Sequence, residues 1–578
     1  MRGWSELAER VGGTTRTSEK TALLAGYLAS LPVEELRPAA TFLTGRPFPE
    51  ADQRAVGLGW ATIAAAVSQM AGTPVEALGD AYDRSSDLGT AVADLLSLRA
   101  VQPDPGTSLS LSELADAFAA IEAAPGPAAK GAVFAAVLAR CEPSTARYVV
   151  KILSGELRIG LREGLLEAAI AQAFGRPQSD VSWAGMLTGD VGETAVLARE
   201  GRLDEARLRL LHPLRFMLAS PAEDAAEILT RLGPQVWVED KYDGIRAQLH
   251  RRGSEVRLYS RELHDISDQF PEIVEAAGDL PWDGILDGEI LAYADGRVLP
   301  FQALQARLGR KDPGAQFLAD VPVIYVAFDL LAVGPRSDRG GHAPVEPLLV
   351  KPLVERRNRL EALGLPLAID GGRFALSHLV TVDSVEALDR VFDEARARRN
   401  EGLMVKDPVS GYSPGRRGLG WLKMKRALAT IDCVVVGVEV GHGKRHAVLS
   451  DYTFAVRDEG NERLVTIGKA YTGLTDAEIA EMTGWFEAHT IRRFGRFRQV
   501  EPTVVVEVAF DVIMRSTRHQ SGFALRFPRI VRIRTDKGPA QIDTLATVER
   551  LHRELQDGAE YLVTADARRL PRRPAGIA

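Results

Sequence analysis

The chain has 578 residues, 46% of them hydrophobic and 26% charged, with a formal net charge of −7. One hydrophobic core stops growing at about 250–300 residues, so the length calls for two to four domains of ordinary globular composition. No apolar run approaches the roughly 18–20 residues of a membrane span, residues 1–6 lack the apolar stretch of a secretory signal, and two cysteines, Cys141 and Cys433, are too few for a disulfide framework or a four-thiolate zinc site.

No membrane partner is therefore expected, and a cytoplasmic location follows, with nucleoid association in a bacterial or archaeal cell. Both cysteines are expected to be buried small hydrophobes.

Residues 1 to about 210 read as helical. Ala and Leu dominate, and apolar residues recur every three or four positions; within 161–171, Leu161, Leu165, Ala168 and Ala169 are expected on one face. Breaks at Pro47-Phe48-Pro49 and Pro125-Gly126-Pro127 separate helices. The texture changes near Leu211-His212-Pro213. Alternation over 245–249, a turn at Arg252-Gly253-Ser254 and a β-type run over 256–259 predict a hairpin. Strands are expected at 284–292, 322–332 and 402–406, a helix at 383–399 and an exposed loop at 334–341. After Lys425, short β runs at 433–440, 452–456, 463–469 and 503–513, with one helix near 475–490, predict a small barrel. Residues 567–574 read as a flexible basic tail. The division expected is an all-α domain at 1–210, an α+β domain at 211–428, a β-barrel at 429–560 and a tail at 561–578.

Two segments run against the net negative charge. Arg416, Arg417, Lys423, Lys425 and Arg426 cluster without an acid between them. Arg515, Arg518, Arg526, Arg529, Arg532, Arg534 and Lys537 are opposed only by Asp536. Such runs are either solvated faces or anion-binding surfaces, and net charge does not separate the two.

The most informative segment is 236–246. An apolar strand runs into Lys241, Gly244 permits a sharp turn, and Arg246 opens the next strand. A lysine amine desolvated between strands, with cations nearby, falls below its usual pKa of about 10.4 and becomes nucleophilic; Glu239 and Asp243 work against this. The bland alternative is a surface salt bridge from Lys241 to one of those two acids.

Lys241-Tyr242-Asp243-Gly244-Ile245-Arg246 resembles the nucleotide-attachment motif of covalent nucleotidyltransferases: DNA ligases, RNA ligases and capping enzymes. The family's later motifs resemble, in order, Ser260-Arg261-Glu262, Leu286-Asp287-Gly288-Glu289, Ala327-Phe328-Asp329-Leu330-Leu331, the segment from Glu401 to Lys406, Trp421-Leu422-Lys423-Met424-Lys425, and the segment from Arg526 to Lys537. Spacing agrees with a nucleotide site: on a strand Trp421, Lys423 and Lys425 share one face while Leu422 and Met424 face a core, and Asp287 and Glu289 also share a face. The resemblance implies Lys241 as the nucleophile. It places Glu239 at adenine, Arg246 and Arg261 near phosphate and ribose, and Phe328 stacked on the base. Arg417, Lys423 and Lys425 would lie around the phosphates. Glu289 and Glu401 would hold Mg²⁺, or Mn²⁺ in its place. Arg534, Asp536 and Lys537 would orient the departing pyrophosphate, with a hinge near 426–431.

Residues 153–161 and the segments 43–49 and 56–59 resemble the helical DNA-binding domain of archaeal and eukaryotic-type ATP-dependent DNA ligases, which points to Arg158, Gly160 and Arg162 as DNA contacts. Residues 213–219 resemble the family's motif at the start of the second domain, with Phe216 where Pro is usual. The implied protein is a monomer of three domains ending in an OB-fold. It would seal nicked double-stranded DNA with ATP, and a sliding clamp is a further partner of such proteins. An RNA ligase, or a nick-binding scaffold without catalysis, is the alternative; the scaffold would have lost Lys241, Arg246 or the Lys423/Lys425 pair.

Overall fold

The computed structural model describes residues 1–99, 101–103, 109–294, 296–299, 301–310, 313–337, 345–398, 400–415, 417–425, 429–441, 445, 448–460 and 463–556. The basic tail, Arg416, Arg426 and the 426–428 part of the expected hinge lie outside them, as do residues 338–341 of the expected loop.

From Arg2–Gly12 to Val191–Glu200 the described residues form α-helices around one core, in which Trp4, Phe42, Phe118 and Phe134 are fully buried. The helix Leu111–Ala123 illustrates the local logic. Ser110 and Glu113 close a capping box, and Leu111, Leu114, Phe118 and Ile121 recur on its inner face. The face expected within 161–171 is corrected. The helix begins at Glu163, so Leu161 precedes it, and Leu166, Ala169, Ile170 and Ala171 are buried. With Leu165 and Ala168 also apolar, periodicity alone does not select a side.

The next unit packs two sheets. The first has the order Leu218–Ala222, Arg417–Met424, Gly402–Lys406, Val236–Lys241, Leu379–Val382. It is antiparallel except for the parallel edge pair of Leu218–Ala222 with Arg417–Met424. Its outer face buries Val238, Leu403, Val405, Leu422 and Met424 beneath the helices Ala225–Leu232 and Val385–Ala397. The second sheet is built on Glu255–Ser260, Ile245–Arg252, Trp282–Ala294 and Val323–Pro335. Its two 13-residue strands are buried along most of their length, as strands covered on both faces are, and the acids they carry are Asp283, Asp287, Glu289 and Asp329.

The third unit is a seven-stranded sheet built on Ala429–Val440, with a separate hairpin of Val512–Arg515 and Phe523–Arg526 and the helices Asp476–Ala488 and Leu545–Gln556. The expected single strand over 503–513 is two, Val505–Phe510 and Val512–Arg515. Asp511 between them interrupts the apolar run, and its backbone N–H bonds to the Arg526 carbonyl at 3.1 Å. Cys141 and Cys433 are both buried. Among the described residues no helix is long and apolar enough to cross a membrane.

Candidate active site

Strand alternation builds the site from the first sheet. Directly opposed residues of antiparallel strands share a face. Lys241 lies opposite Gly402, and Glu239 opposite Met404. Met404 lies opposite Lys423, and Lys406 opposite Trp421. Glu239, Lys241, Met404, Lys406, Trp421 and Lys423 therefore point one way, into a cleft of about 650 Å³ whose far wall carries Arg246, Glu289 and Phe328 from the second sheet. Ser260, Arg261 and Glu262 line the same cleft.

Lys241 ends its strand and its ammonium contacts the Glu401 carboxylate; Lys425 contacts the same oxygen. The expected partners of Lys241 are corrected. Glu239 pairs with Lys406 at 2.6 Å, and Asp243 pairs with Arg526 at 2.6 Å. The Lys241–Glu401 geometry comes from the backbone: the Glu401 N–H donates to the Lys241 carbonyl at 2.8 Å. At Gly402 φ is +148°, and a Cβ there would lie 2.2 Å from the Met424 carbonyl oxygen, so only glycine lets the strands close behind Lys241. Burial works to raise the Glu401 pKa, but the ammonium groups of Lys241 and Lys425 outweigh it and bring it down to about 2.

Arg246 faces the cleft but is spent on Asp287, which is fully buried. Nε donates to Oδ1 at 3.1 Å and Nη2 to Oδ2 at 2.7 Å, while Nη1 donates to the Met217 carbonyl at 2.9 Å. Its guanidinium lies 4.8 Å from the centroid of Phe216, the residue standing where proline was expected. Burial disfavours the Arg246 charge, but Asp287, together with Tyr412 and Glu289, outweighs burial and raises its pKa. Tyr412, which no sequence signal marked, donates from its hydroxyl to Asp287 Oδ2 at 2.7 Å and accepts from the Met217 N–H at 3.0 Å.

Glu289 is pushed up to about 8, first by burial and then by the charges of Glu401 and Asp287, against the pull of Lys241 and Arg246. Glu289, where a negative charge is unfavourable, and Glu401, held ionised by two ammonium groups, both line the cleft and suit a divalent cation. Magnesium or manganese takes one or two carboxylates and completes its shell with water and phosphate oxygens. Among the described residues no group of three or more His, Cys, Asp or Glu side chains is arranged as an all-protein cage.

Phe328, 9% exposed, packs edge-on against Trp421 with centroids 6.3 Å apart. Lys425 sits at the edge of the cleft, 5.5 Å from the Phe527 ring and 3.4 Å from Asp511. Arg417 opens the strand Arg417–Met424, but its side chain lies outside the described residues.

The pyrophosphate trio is not brought to the cleft. Arg534 donates to both Asp432 oxygens at 3.0 and 3.1 Å and to Asp536 at 2.8 and 2.7 Å, and Lys537 also contacts Asp432. These are contacts within the third unit. Arg526 and Phe527 line the cleft instead.

In the helical unit, Arg158 and Arg162 are exposed on the loop that carries Gly160 at φ +62°. Arg158 donates to the Ser86 carbonyl at 2.9 Å and pairs with Glu156. The ammonium of Lys20, bonded to the Ile159 carbonyl at 2.5 Å, would lie 2.8 Å from a Cβ at Gly160.

Three family models match the chain: "DNA ligase N terminus" over residues 2–171, "ATP dependent DNA ligase domain" over 216–425 and "ATP dependent DNA ligase C terminal region" over 445–537. A "Probable DNA ligase" of Koribacter versatilis is 46% identical, with 95% of this chain and 96% of the relative covered. A "Probable DNA ligase" of Opitutus terrae is 44% identical over 94% of this chain, which spans only 61% of that relative's length. "DNA ligase 1" of Korarchaeum cryptofilum is 36% identical, with 95% and 97% covered. The solved structure Pmar-Lig_PreS3 shares the fold, with a TM-score of 0.58 at 14% identity over 92% of this chain and 99% of that one.

Proposed function

We infer the chemistry from one premise: the chain belongs to the family of ATP-dependent DNA ligases. Within that family we assign the nucleophile to Lys241, and the observation that carries the assignment is its position in the cleft. Its amine meets Glu401 between a face bearing Glu239 and Lys423 and a wall bearing Glu289 and Phe328.

Lys241 Nζ attacks the α-phosphorus of ATP; the N–P bond forms as the bond to pyrophosphate breaks. The AMP then passes to the 5′-phosphate at a nick, and the 3′-hydroxyl displaces it to close the backbone. Alignment and neutralisation of phosphate oxygens matter more in such transfers than acid–base groups. In this reading Lys423, on the cleft face, and Lys425, on the Glu401 carboxylate, meet the phosphates. Phe328 and Met404 bracket the space for the base, and Arg246, held by Asp287 and Tyr412, is a fixed cation on the far wall. Lys241 must shed its proton first. The contact with Glu401 opposes this, and Lys425, already on the same oxygen, is placed to keep that carboxylate when Lys241 leaves it. Magnesium bound by Glu289 and Glu401 would stabilise charge developing on the phosphate.

Arg158, Arg162 and the backbone at Gly160 are proposed contacts to DNA phosphates, which makes binding sequence-independent and salt-sensitive. Incubation with α-labelled ATP and magnesium, then denaturation, tests the reading. The label stays on the parent and is absent from Lys241→Ala, and NAD or GTP does not replace ATP. A Lys241→Ala variant that retains the label overturns it.

A further inference from the structure

Of the three lysines on the cleft face, Lys241, Lys406 and Lys423, Lys406 is the one to which the phosphate chemistry gives no role. It is 1% exposed, and an ammonium that deep is costly unless paired. Its partner is Glu239, 4% exposed, whose Oε2 accepts from Lys406 Nζ at 2.6 Å. The same ammonium lies 4.7 Å from the centroid of Phe328 and 4.3 Å from that of Trp421, so it is packed against both rings. Glu239 Oε1 has Arg357 Nη1 at 3.7 Å, beyond hydrogen-bonding distance. Arg357 is already committed to Ser377 at 2.7 and 2.9 Å and to Glu361 at 2.6 Å.

Glu239, which lines the cleft on the face opposite Phe328, is thus held through one oxygen by Lys406, and its other oxygen, outside hydrogen-bonding distance of Arg357, retains lone pairs with which to accept. A purine with a 6-amino group donates to such an acceptor. A purine with a 6-oxo group presents a lone pair to it and is repelled, and a site built around a fixed polar group rejects the mismatched ligand strongly. We propose that Lys406 is a positioning residue that sets the cleft's preference for a 6-aminopurine over a 6-oxopurine nucleotide, by holding the Glu239 carboxylate in place as an acceptor. The inference rests on the reading of the cleft as the nucleotide site. Without the ammonium, Glu239 keeps only the longer pairing of its other oxygen with Arg357 at 3.7 Å, and the carboxylate is no longer fixed in place as an acceptor for a 6-amino group.

The test is self-adenylation or self-guanylation of the full chain with α-labelled ATP or GTP, for Lys406→Met, Lys406→Gln, Lys406→Arg, Glu239→Gln and the Lys406→Met/Glu239→Gln pair. Lys406→Met and Lys406→Gln lower the ATP-to-GTP ratio of kcat/KM by about ten-fold or more, equal to about 1.4 kcal/mol, chiefly through a higher KM for ATP. Lys406→Arg restores the ratio, and the double variant loses no more than Glu239→Gln alone. Each ratio is taken within one preparation, so an unfolded fraction cancels. Parental ratios in Lys406→Met and Lys406→Gln, or losses that add to that of Glu239→Gln, overturn the proposal. A parent that takes no label from ATP overturns the ligase reading instead.

Discussion

At the scale of single residues, the cleft couples charges that oppose one another. Glu401, at about 2, stays ionised through the working pH range, so titration of Glu401 does not set the pH dependence of the first step. Glu289, raised to about 8 in the metal-free protein, is a group that titrates there. A carboxyl whose folded pKa lies above its unfolded value binds more protons folded than unfolded between the two. Stability therefore falls as pH rises from about 4.5 to about 8, by at most about 5 kcal/mol for this group. Glu289→Gln is expected to raise the melting temperature of the nucleotide- and metal-free protein at pH 8–9, to change it little near pH 4, and to lose lysyl-adenylate formation. Calorimetry at the two pH values, beside the labelling assay, checks this.

At the scale of elements, close backbone approach and buried polar networks place the catalytic groups. Gly402→Ala forces a Cβ against the Met424 carbonyl directly across from Lys241 and is expected to cost about 2–4 kcal/mol, with loss of label from ATP at a temperature where the chain is still folded. A second network docks residues 211–217 onto the strand Ile245–Arg252. The Leu211 N–H donates to His250 Nδ1 at 3.2 Å, which leaves Nε2 to donate to Gln248 Oε1 at 3.1 Å. Gln248 in turn pairs with the Leu214 backbone at 2.9 and 2.7 Å. Burial, then the nearby His212, lowers His250 to about 3. Its folded pKa is depressed, so its contribution is present above about 6.5 and is lost as pH falls toward 3. Hydrogen exchange at Leu211 and Leu214, corrected for intrinsic rates, should accelerate below pH 6 in the parent and show no such acid limb in His250→Gln.

What was legible at these two scales follows from sequence distance. The attachment motif, the strand at 402–406 and the alternation over 421–424 could be read because each is a short run with its own pattern, although the strand ends at Met424 and leaves Lys425 beyond it. The hairpin after Lys241 was legible for the same reason. The pairing of Lys241 with Glu401, 160 residues away, and of Glu239 with Lys406, 167 away, was not. A local window offered Glu239 and Asp243 as nearer acids, and only sheet register decides between them. Tyr412 lies in no periodic segment, and its role arises from the fold alone.

At the scale of the molecule, Arg526 is the clasp between the third unit and the nucleotide motif. Nη1 reaches both Asp243 oxygens at 2.9 and 2.6 Å, with the guanidinium 4.4 Å from the Phe301 ring. While that clasp is closed, Arg534, Asp536 and Lys537 remain on or beside Asp432. The first transfer, which is expected to use that trio, therefore requires the third unit to turn. Arg526→Ala should leave self-adenylation at or above the parental rate and slow sealing of a pre-adenylated nick by about ten-fold, whereas Arg534→Ala should slow self-adenylation. Rapid-quench assays of the separate steps check both.

The account stands on a covalent bond at one atom. Peptide mapping by mass spectrometry after incubation with ATP and magnesium is expected to find AMP on the peptide containing Lys241, attached at its Nζ and released when pyrophosphate is added. AMP on any other residue, or nicks sealed by Lys241→Ala, would contradict it.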